Sequence, residues 1–440
     1  MGDAEALSVG PGSLIRSRQY RVLLVLAAII GVFVSLASWG FLALVHEIQV
    51  GIYRHLPGEL GYDTVPWWWP LPWLGLAGVL TAFAILRLPG HGGHVPAEGL
   101  KVGGGPTQPI ELPGVLLAAL ATLGLGLVLG PEGPLIALGM GLAVFAVRLV
   151  RKDAPQQMLG LMAAAGSFAA ISTVFGSPVI GAVILLEAAA LSGGGPALSL
   201  VLLPGLIAAG LGSLVFIGMG DWTGLSTSAW ALSPLDLPAY GGPDWADFAW
   251  TIVLAMAVAV VVFVIVEIAK LTIRLVSQRP FVLTVVAALV VGVLAIAFHQ
   301  ATDQAANAVL FSGENAFAEL FEEPGLSLSA LAFLLVFKGL AWSISLGNFR
   351  GGPTFPALFL GTVAGLLAAH LPGFSETPAV AALMAAACVS ILRLPLASVV
   401  VALLLTSQAG LTVAPLIIVA VVVAYITTEE LSAGRVAPSV

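Results

Sequence analysis

From Arg21 almost to its end, the chain offers one apolar stretch after another, interrupted by glycine, proline or an isolated charge. A helix that crosses the hydrocarbon core needs roughly 20 predominantly apolar residues, so this pattern makes the lipid bilayer the solvent for most of the chain. Only 9% of the 440 residues are Asp, Glu, Lys or Arg, against about 25% in soluble domains, and the mean hydropathy is +1.07. No surface in water is covered with so little charge. The 51 glycines and 28 prolines would break helices in water. In a membrane they are tolerated where neighbouring helices or a water-filled cavity satisfy the freed backbone groups, so their abundance predicts broken helices.

The first run, Val22 to Val45, is too long for the core of a signal peptide and lacks a cleavage site, and is expected to be the first membrane helix. Arg16, Arg18 and Arg21 stand just before it. By the positive-inside rule they put the N-terminus in the cytoplasm and this multi-pass chain in the inner (plasma) membrane of a bacterium-like cell. A formal net charge of -7 argues against a nucleic-acid partner, and the one cysteine, Cys388, leaves no disulfide framework to expect.

Apolar runs bounded by Gly, Pro or charge divide the chain into an N-terminal segment (1–19), a first set of membrane helices (20–220), a polar connector with Trp222 and Trp230 (221–247), a second set (248–432) and a short tail (433–440). Helices are expected at 110–128, 196–218, 248–276 and 355–371 among others, with a shorter element at 304–322. Several runs are too short to span and read as half-helices or strongly tilted ones. The two sets share punctuation. LGPEGPL (Leu129 to Leu135) is followed 44 residues after Pro134 by GSPVIG at Pro178, and RGGPTFP (Arg350 to Pro356) is followed 39 residues after Pro356 by LRLPLAS at Pro395. Corresponding breaks in two halves point to an inverted repeat with its substrate site at the midplane, although a chain so rich in Gly and Pro also gives such matches by chance.

A broken helix presents free N–H groups and a partial positive charge at its N-terminus, and several aimed at one point make an anion site without full cations. Three breaks place glycine ahead of a plausible helix start: Gly92-Gly93-His94-Val95-Pro96, Gly130-Pro131-Glu132-Gly133-Pro134 and Gly351-Gly352-Pro353-Thr354-Phe355-Pro356. Glu132 is the most informative acid, since a carboxylate inside a membrane segment costs at least ~2.5 kcal/mol on insertion scales. At a helix N-terminus it would occupy the anion site when ionised and leave it when protonated, which is the logic of a gate. The plainer alternative is a cap that stabilises the helix start.

GGHVP at Gly92, GPEGP at Gly130, GSPVIGAVILLE at Gly176 and GNFRGGPTFPALFLGTVAG at Gly347, with SILRLPLASVVVALLLT from Ser390, resemble the motif series of the CLC chloride channel and transporter family in order and spacing. The resemblance covers nearly the whole chain. It implies an all-α polytopic membrane protein, an inverted repeat of two antiparallel helical halves with broken half-helices, about eighteen helices in each subunit of a homodimer, and a separate anion pathway per subunit. It also makes Glu132 an external gate, and it gives Lys338 and Glu187 family positions whose first role is structural. The chain stops soon after the last expected helix, so the cytoplasmic regulatory domains of many animal members are not expected.

Departures from the pattern bear on the site. The family's chloride-binding serine falls on Gly93, and anion-coordinating N–H groups of the third motif fall on Pro353 and Thr354. Proline has no N–H, and Pro131 beside the gate has lost its donor too. Each lost donor would weaken anion binding by roughly 0.5–1.5 kcal/mol, or more where a charge-assisted bond is not replaced. Thr354 offers a hydroxyl and an N–H in partial compensation. His94 offers a charge-assisted donor when protonated, unless His91 and His94 simply lie in a solvated loop. The family's tyrosine near the C-terminus has no match, Tyr425 lying too early. The internal glutamate of proton-coupled members falls on Ala188, and Glu187, about 100 degrees away on the same helix, is poorly placed to replace it.

An intramembrane enzyme is not expected: HExxH and GxSxG are absent, and His91 and His94 have no further ligand nearby for a metal. A cation-coupled transporter using Glu132 and Glu187, and a non-conducting membrane scaffold, are the rival readings from other classes. The expectation is a homodimeric anion pathway that needs no cofactor and carries a small inorganic anion, chloride first and fluoride or nitrate otherwise. Glu132 would be its gate, and Gly92, Gly93, His94, Gly133, Pro353, Thr354 and Phe355 would line it. Passive conduction is favoured slightly over proton antiport.

Overall fold

The computed structural model describes residues 17–98, 105–191, 198–224, 232, 234–321 and 325–433. Arg16, Trp230 and nearly all of the expected terminal segments 1–19 and 433–440 lie outside the described residues. Fourteen α-helices of eleven residues or more follow one another in the described residues. They are α1 (Arg18–Val50), α2 (Pro70–Arg87), α3 (Leu112–Leu125), α4 (Glu132–Val150), α5 (Gln156–Val174), α6 (Pro178–Leu191) and α7 (Leu198–Thr223). Then come α8 (Trp245–Val276), α9 (Pro280–Thr302), α10 (Leu328–Asn348), α11 (Thr354–Ala368), α12 (Glu376–Leu392), α13 (Pro395–Leu405) and α14 (Ala414–Ala433). Nine helical segments among the described residues are long and apolar enough to cross a membrane.

Others are not. Helices α3 and α6 have 14 residues each, α11 has 15 and α13 has 11. At 1.5 Å per residue they reach roughly 16–23 Å, short of the ~30 Å hydrocarbon core. These are the half-helices that the Gly and Pro punctuation implies. The expected helix ends hold to within a few residues, with instructive differences. Helix α8 begins at Trp245, ahead of 248, because Asp244 and Asp247 form a reciprocal capping box. Helix α7 runs through Pro204 and on to Thr223, into the expected connector. The element expected at 304–322 is a series of 3-10 turns, Ala306–Ala308, Glu314–Ala316 and Ala318–Phe321.

The break at Gly92 opens no α-helix among the described residues, in contrast to the breaks at Gly130 and Gly351. Gly90, His91, Gly92 and Gly93 all have positive φ, at 76°, 50°, 74° and 94°. Four consecutive left-handed residues cannot start a right-handed helix. The chain continues through the short 3-10 turn Pro96–Glu98.

The chain forms two compact units, each with its own packing. In the first (1–42, 101–112 and 135–227) α5 packs on α6 and α7. Small residues bring the helices together: a Cβ on Gly31 of α1 would lie 2.7 Å from the Ala208 backbone of α7. The buried Ser35 hydroxyl bonds the Gly212 carbonyl at 2.6 Å and the Thr173 hydroxyl at 2.9 Å, so this polar seam is satisfied.

In the second unit (43–100, 113–134 and 228–440) α11 and α12 form the tightest pair. Helix α12 is buried on every side from Thr377 to Leu392, as expected of a helix that is apolar all round. Its partner reaches it through glycine. A Cβ on Gly361 would lie 2.6 Å from the Met384 Cα and 2.7 Å from the Leu383 carbonyl oxygen. Gly361→Val is therefore expected to lower the midpoint of thermal unfolding in detergent clearly, by the roughly 1–3 kcal/mol of an overpacked core. An unchanged midpoint would mean that the pair is free to spread. Along α8, Val253, Met256, Val260, Val264, Leu271 and Leu275 are exposed at three-, four- and seven-residue spacing. Lipid is the solvent that suits such a stripe.

Candidate functional site

Two glycine turns of the second unit meet edge to edge. Gly130 donates its N–H to the Gly352 carbonyl at 2.7 Å, and Gly352 donates to the Gly130 carbonyl at 2.6 Å, an isolated antiparallel bridge. Glycine is required on both sides, since a Cβ at either position would fall on the carboxyl group of Glu132. A Cβ on Gly133 would lie 2.7 Å from the Gly351 carbonyl oxygen, so the two turns are pressed together there as well.

The bridge delivers the Glu132 side chain, 1% exposed, to the N-terminus of α11. Its Oε1 accepts the Thr354 N–H at 2.8 Å and the Phe355 N–H at 3.1 Å. These are first-turn donors with no partner inside their own helix, and the helix dipole adds partial positive charge. Oε2 is buried without a hydrogen-bond partner. Pro353 is the residue before the helix, so its missing N–H takes nothing from the carboxylate. The donors belong to the two residues that follow it.

Gly92 is buried where a Cβ would meet Ala118 at 3.1 Å and Arg350 at 3.4 Å, while Gly93 lies against Val115 and His94 is exposed. Arg350 ties the first motif to the third. It is 7% exposed, and its guanidinium donates to the carbonyls of Asn348 (3.0 Å), Phe349 (3.3 Å) and His91 (3.3 Å). Its own N–H donates to the Thr122 hydroxyl at 3.3 Å. The sequence reading passed over Arg350 as a site residue. Its only advance sign is a cation directly before a double glycine.

The segment leading into Glu132 is also held. Tyr53 donates its hydroxyl to the Leu125 carbonyl at 2.9 Å, Val128 N–H donates to Ser345, and the Phe311 N–H reaches the Gly126 carbonyl at 3.3 Å. Lys338, fully buried, donates to the carbonyls of Ala308 (3.0 Å), Val309 (3.3 Å) and Leu310 (2.8 Å), and its Nζ sits 4.6 Å from the Phe359 ring centre. That is the structural role expected of it. A further acid, Glu314, comes to the same unit. Burial first, and then the charge of Glu132, push its carboxyl up to about 8, against a smaller pull from the Ser312 hydroxyl. In the first unit, α6 carries Ala188, buried at 5% exposure, beside the partly exposed Glu187.

Residues 77–429 match the family described as voltage gated chloride channel. Several bacterial relatives carry the name "Putative ion-transport protein YfeO". The one from Salmonella paratyphi A is 30% identical over 362 residues, covering 80% of this chain and 81% of its own. The one from Escherichia fergusonii is 28% identical over 361 residues, covering 81% of each. A slow cyanobacterial Cl-/H+ antiporter matches in structure with a TM-score of 0.74 at 20% identity, over 93% of this chain and 94% of that one. A CLC-type fluoride/proton antiporter matches with a TM-score of 0.71 at 18% identity, over 96% and 97%. The fold is thus the all-α polytopic CLC fold, and the chain belongs to the voltage-gated chloride channel (CLC) family of anion transport proteins.

Proposed function

We propose that this protein carries small inorganic anions, chloride first, along a pathway closed by the Glu132 carboxylate. The observation that carries this reading is the pair of N–H groups, Thr354 and Phe355, on Oε1 of Glu132. A carboxylate held by two helix N-terminal donors stands in for a permeating anion, because the same donors and the same dipole serve either. Protonation removes the negative charge, weakens both bonds and frees the donors for the anion. Gly92, Gly93, Gly133, Pro353, Thr354 and Phe355 line this pathway, and His94 marks its exposed end. The protein works as a homodimer in the inner membrane, with the N-terminus in the cytoplasm.

Passive conduction remains the favoured mode, because Ala188 stands where the resemblance places a second acid. The antiporters that share the fold make coupling the first alternative, and fluoride the first alternative to chloride. The test is anion efflux from liposomes. Glu132→Gln, neutral at every pH, is expected to conduct without the acid activation of the parent protein. Transport and pH dependence left unchanged by Glu132→Gln would overturn the gate. Uphill proton movement under a chloride gradient would establish antiport, and no flux of chloride, nitrate or fluoride would establish a scaffold.

A further inference from the structure

Glu314 is a half-buried acid, its Oε2 closed off from solvent, that this reading leaves unused. It opens the 3-10 turn Glu314–Ala316, just after Gly313, whose φ of 95° and close approach to Phe359 of α11 both require glycine. Lys338 pins the preceding segment through three carbonyls. The carboxyl is therefore set in place by two helices and not left on a loose loop. Ser312 holds part of it, while its Oε2 is buried with no hydrogen-bond partner, as is Oε2 of Glu132.

Glu314 also lines a cavity of about 780 Å³ whose walls include the amides of Gln49 and Asn307. The walls also carry apolar side chains such as Phe298 and Leu334, but the volume is many times what one water needs and the polar groups give waters partners to bond. Among the described residues, the charged and titratable groups on the cavity wall or close to it are His46, Tyr53 and Arg54 from the α1 side, Glu319 from the segment of Glu314 itself, Lys338 from α10 and Glu132 from α4. The Lys338 ammonium is committed to carbonyl oxygens. Glu132 is near enough for its charge to disfavour ionisation of Glu314. With its carboxyl pushed up to about 8, first by burial and then by the charge of Glu132, Glu314 holds a proton far more readily than an exposed carboxyl does. An acid whose affinity lies near ambient pH is well suited to exchanging a proton in both directions.

We propose that Glu314 is the proton donor and acceptor of the gate, passing a proton between this cavity and the Glu132 carboxylate. The proposal rests on Glu132 being the gate. In opening, the O–H bond of Glu314 breaks and an O–H bond forms on Glu132. Neutral Glu132 then releases Thr354 and Phe355, and the Glu314 carboxylate takes a new proton from the cavity. Closing runs the same steps backwards. Glu314 thereby gives the gate a proton route that needs no acid at Ala188.

The experiment is a rapid jump from alkaline to acid pH on liposomes holding the full chain, with the onset of chloride efflux followed in time. Glu314→Gln is expected to open about tenfold more slowly or worse, given the 10²–10⁴-fold worth of a positioned acid, and to reach the same final flux. Glu314→Asp, which keeps a carboxyl, is expected to recover most of the rate. An onset in Glu314→Gln as fast as in the parent overturns the proposal. So does a loss of flux when Glu314→Gln is added to Glu132→Gln, because Glu314 would then act on the anion path or the fold and not through the gate. If Glu132→Gln alone retains acid-triggered onset, the gate reading falls first, in a variant that leaves Glu314 untouched.

Discussion

Gly352→Ala is expected to hold the pathway open at neutral pH although every residue of the proposed gate is still present. A Cβ on Gly352 falls on the Glu132 carboxyl, which has no second place to go in the closed arrangement: Gly130 faces it from the other side, and a Cβ there would fall on it too. The carboxylate must leave the N-terminus of α11. It loses the Thr354 and Phe355 N–H groups, each a charge-assisted bond contributing roughly 1.5–3 kcal/mol. At 1.4 kcal/mol per factor of ten, the closed state loses about a hundredfold or more of its advantage. Efflux at neutral pH should rise towards the level that the parent protein reaches in acid, and most of its pH dependence should vanish. Gly352→Ala with parental flux and pH dependence would show that the bridge moves aside and that Glu132 does not close the path. Glu132→Gln and Gly352→Ala reach one phenotype by different means, one removing charge and the other removing space. Agreement between them separates a gate from a mere cap on α4.

The helices and the Glu132 turn were legible because each is written in a local pattern. Apolar runs cut by Gly and Pro mark the helix ends, and an acid in GPEGP inside such a run announces an anomaly that chemistry must explain. What closes around that acid was only partly legible. Thr354 and Phe355 stand more than two hundred residues from Glu132, and the bond from Arg350 to His91 spans 259 positions. No periodicity carries contacts of that range. The first motif misled for a different reason: glycines before a proline fit a helix start, but here they serve four left-handed residues in a row. Pro353 looked like a lost donor because the motif was read residue by residue. In the structure the Glu132 carboxylate takes the N–H groups of Thr354 and Phe355, the two residues after Pro353. Glu314 carried no signal in its own neighbourhood, since an acid between turns usually faces water. Its setting follows from Lys338, which holds the segment before it, and from Phe359 against Gly313, both distant in sequence.

Lys338→Met should be the most destabilising single change within the second unit, and it tests how that unit is held together. An ammonium buried at 0% exposure is costly unless every proton is used. Here three donors meet three carbonyls, of Ala308, Val309 and Leu310, at 2.8–3.3 Å, with the Phe359 ring 4.6 Å from Nζ. Methionine matches the stem but leaves those carbonyls without a donor. At roughly 1–3 kcal/mol for each buried acceptor left unmade, the loss is on the order of 3–5 kcal/mol, even if one of the three finds another partner. Arginine is not a substitute, because its planar fork cannot direct three donors into a compact cup. Both variants should unfold in detergent well below the parent protein, with Lys338→Arg no better than partly stable. The segment that Lys338 holds leads directly to Phe311, whose N–H meets Gly126, and to Glu314. A folded fraction of Lys338→Met in liposomes is therefore expected to lose the orderly acid response of the gate as well. Parental stability in Lys338→Met would mean that the three carbonyls find water or other donors, and that the segment before Glu314 is held by its apolar contacts alone.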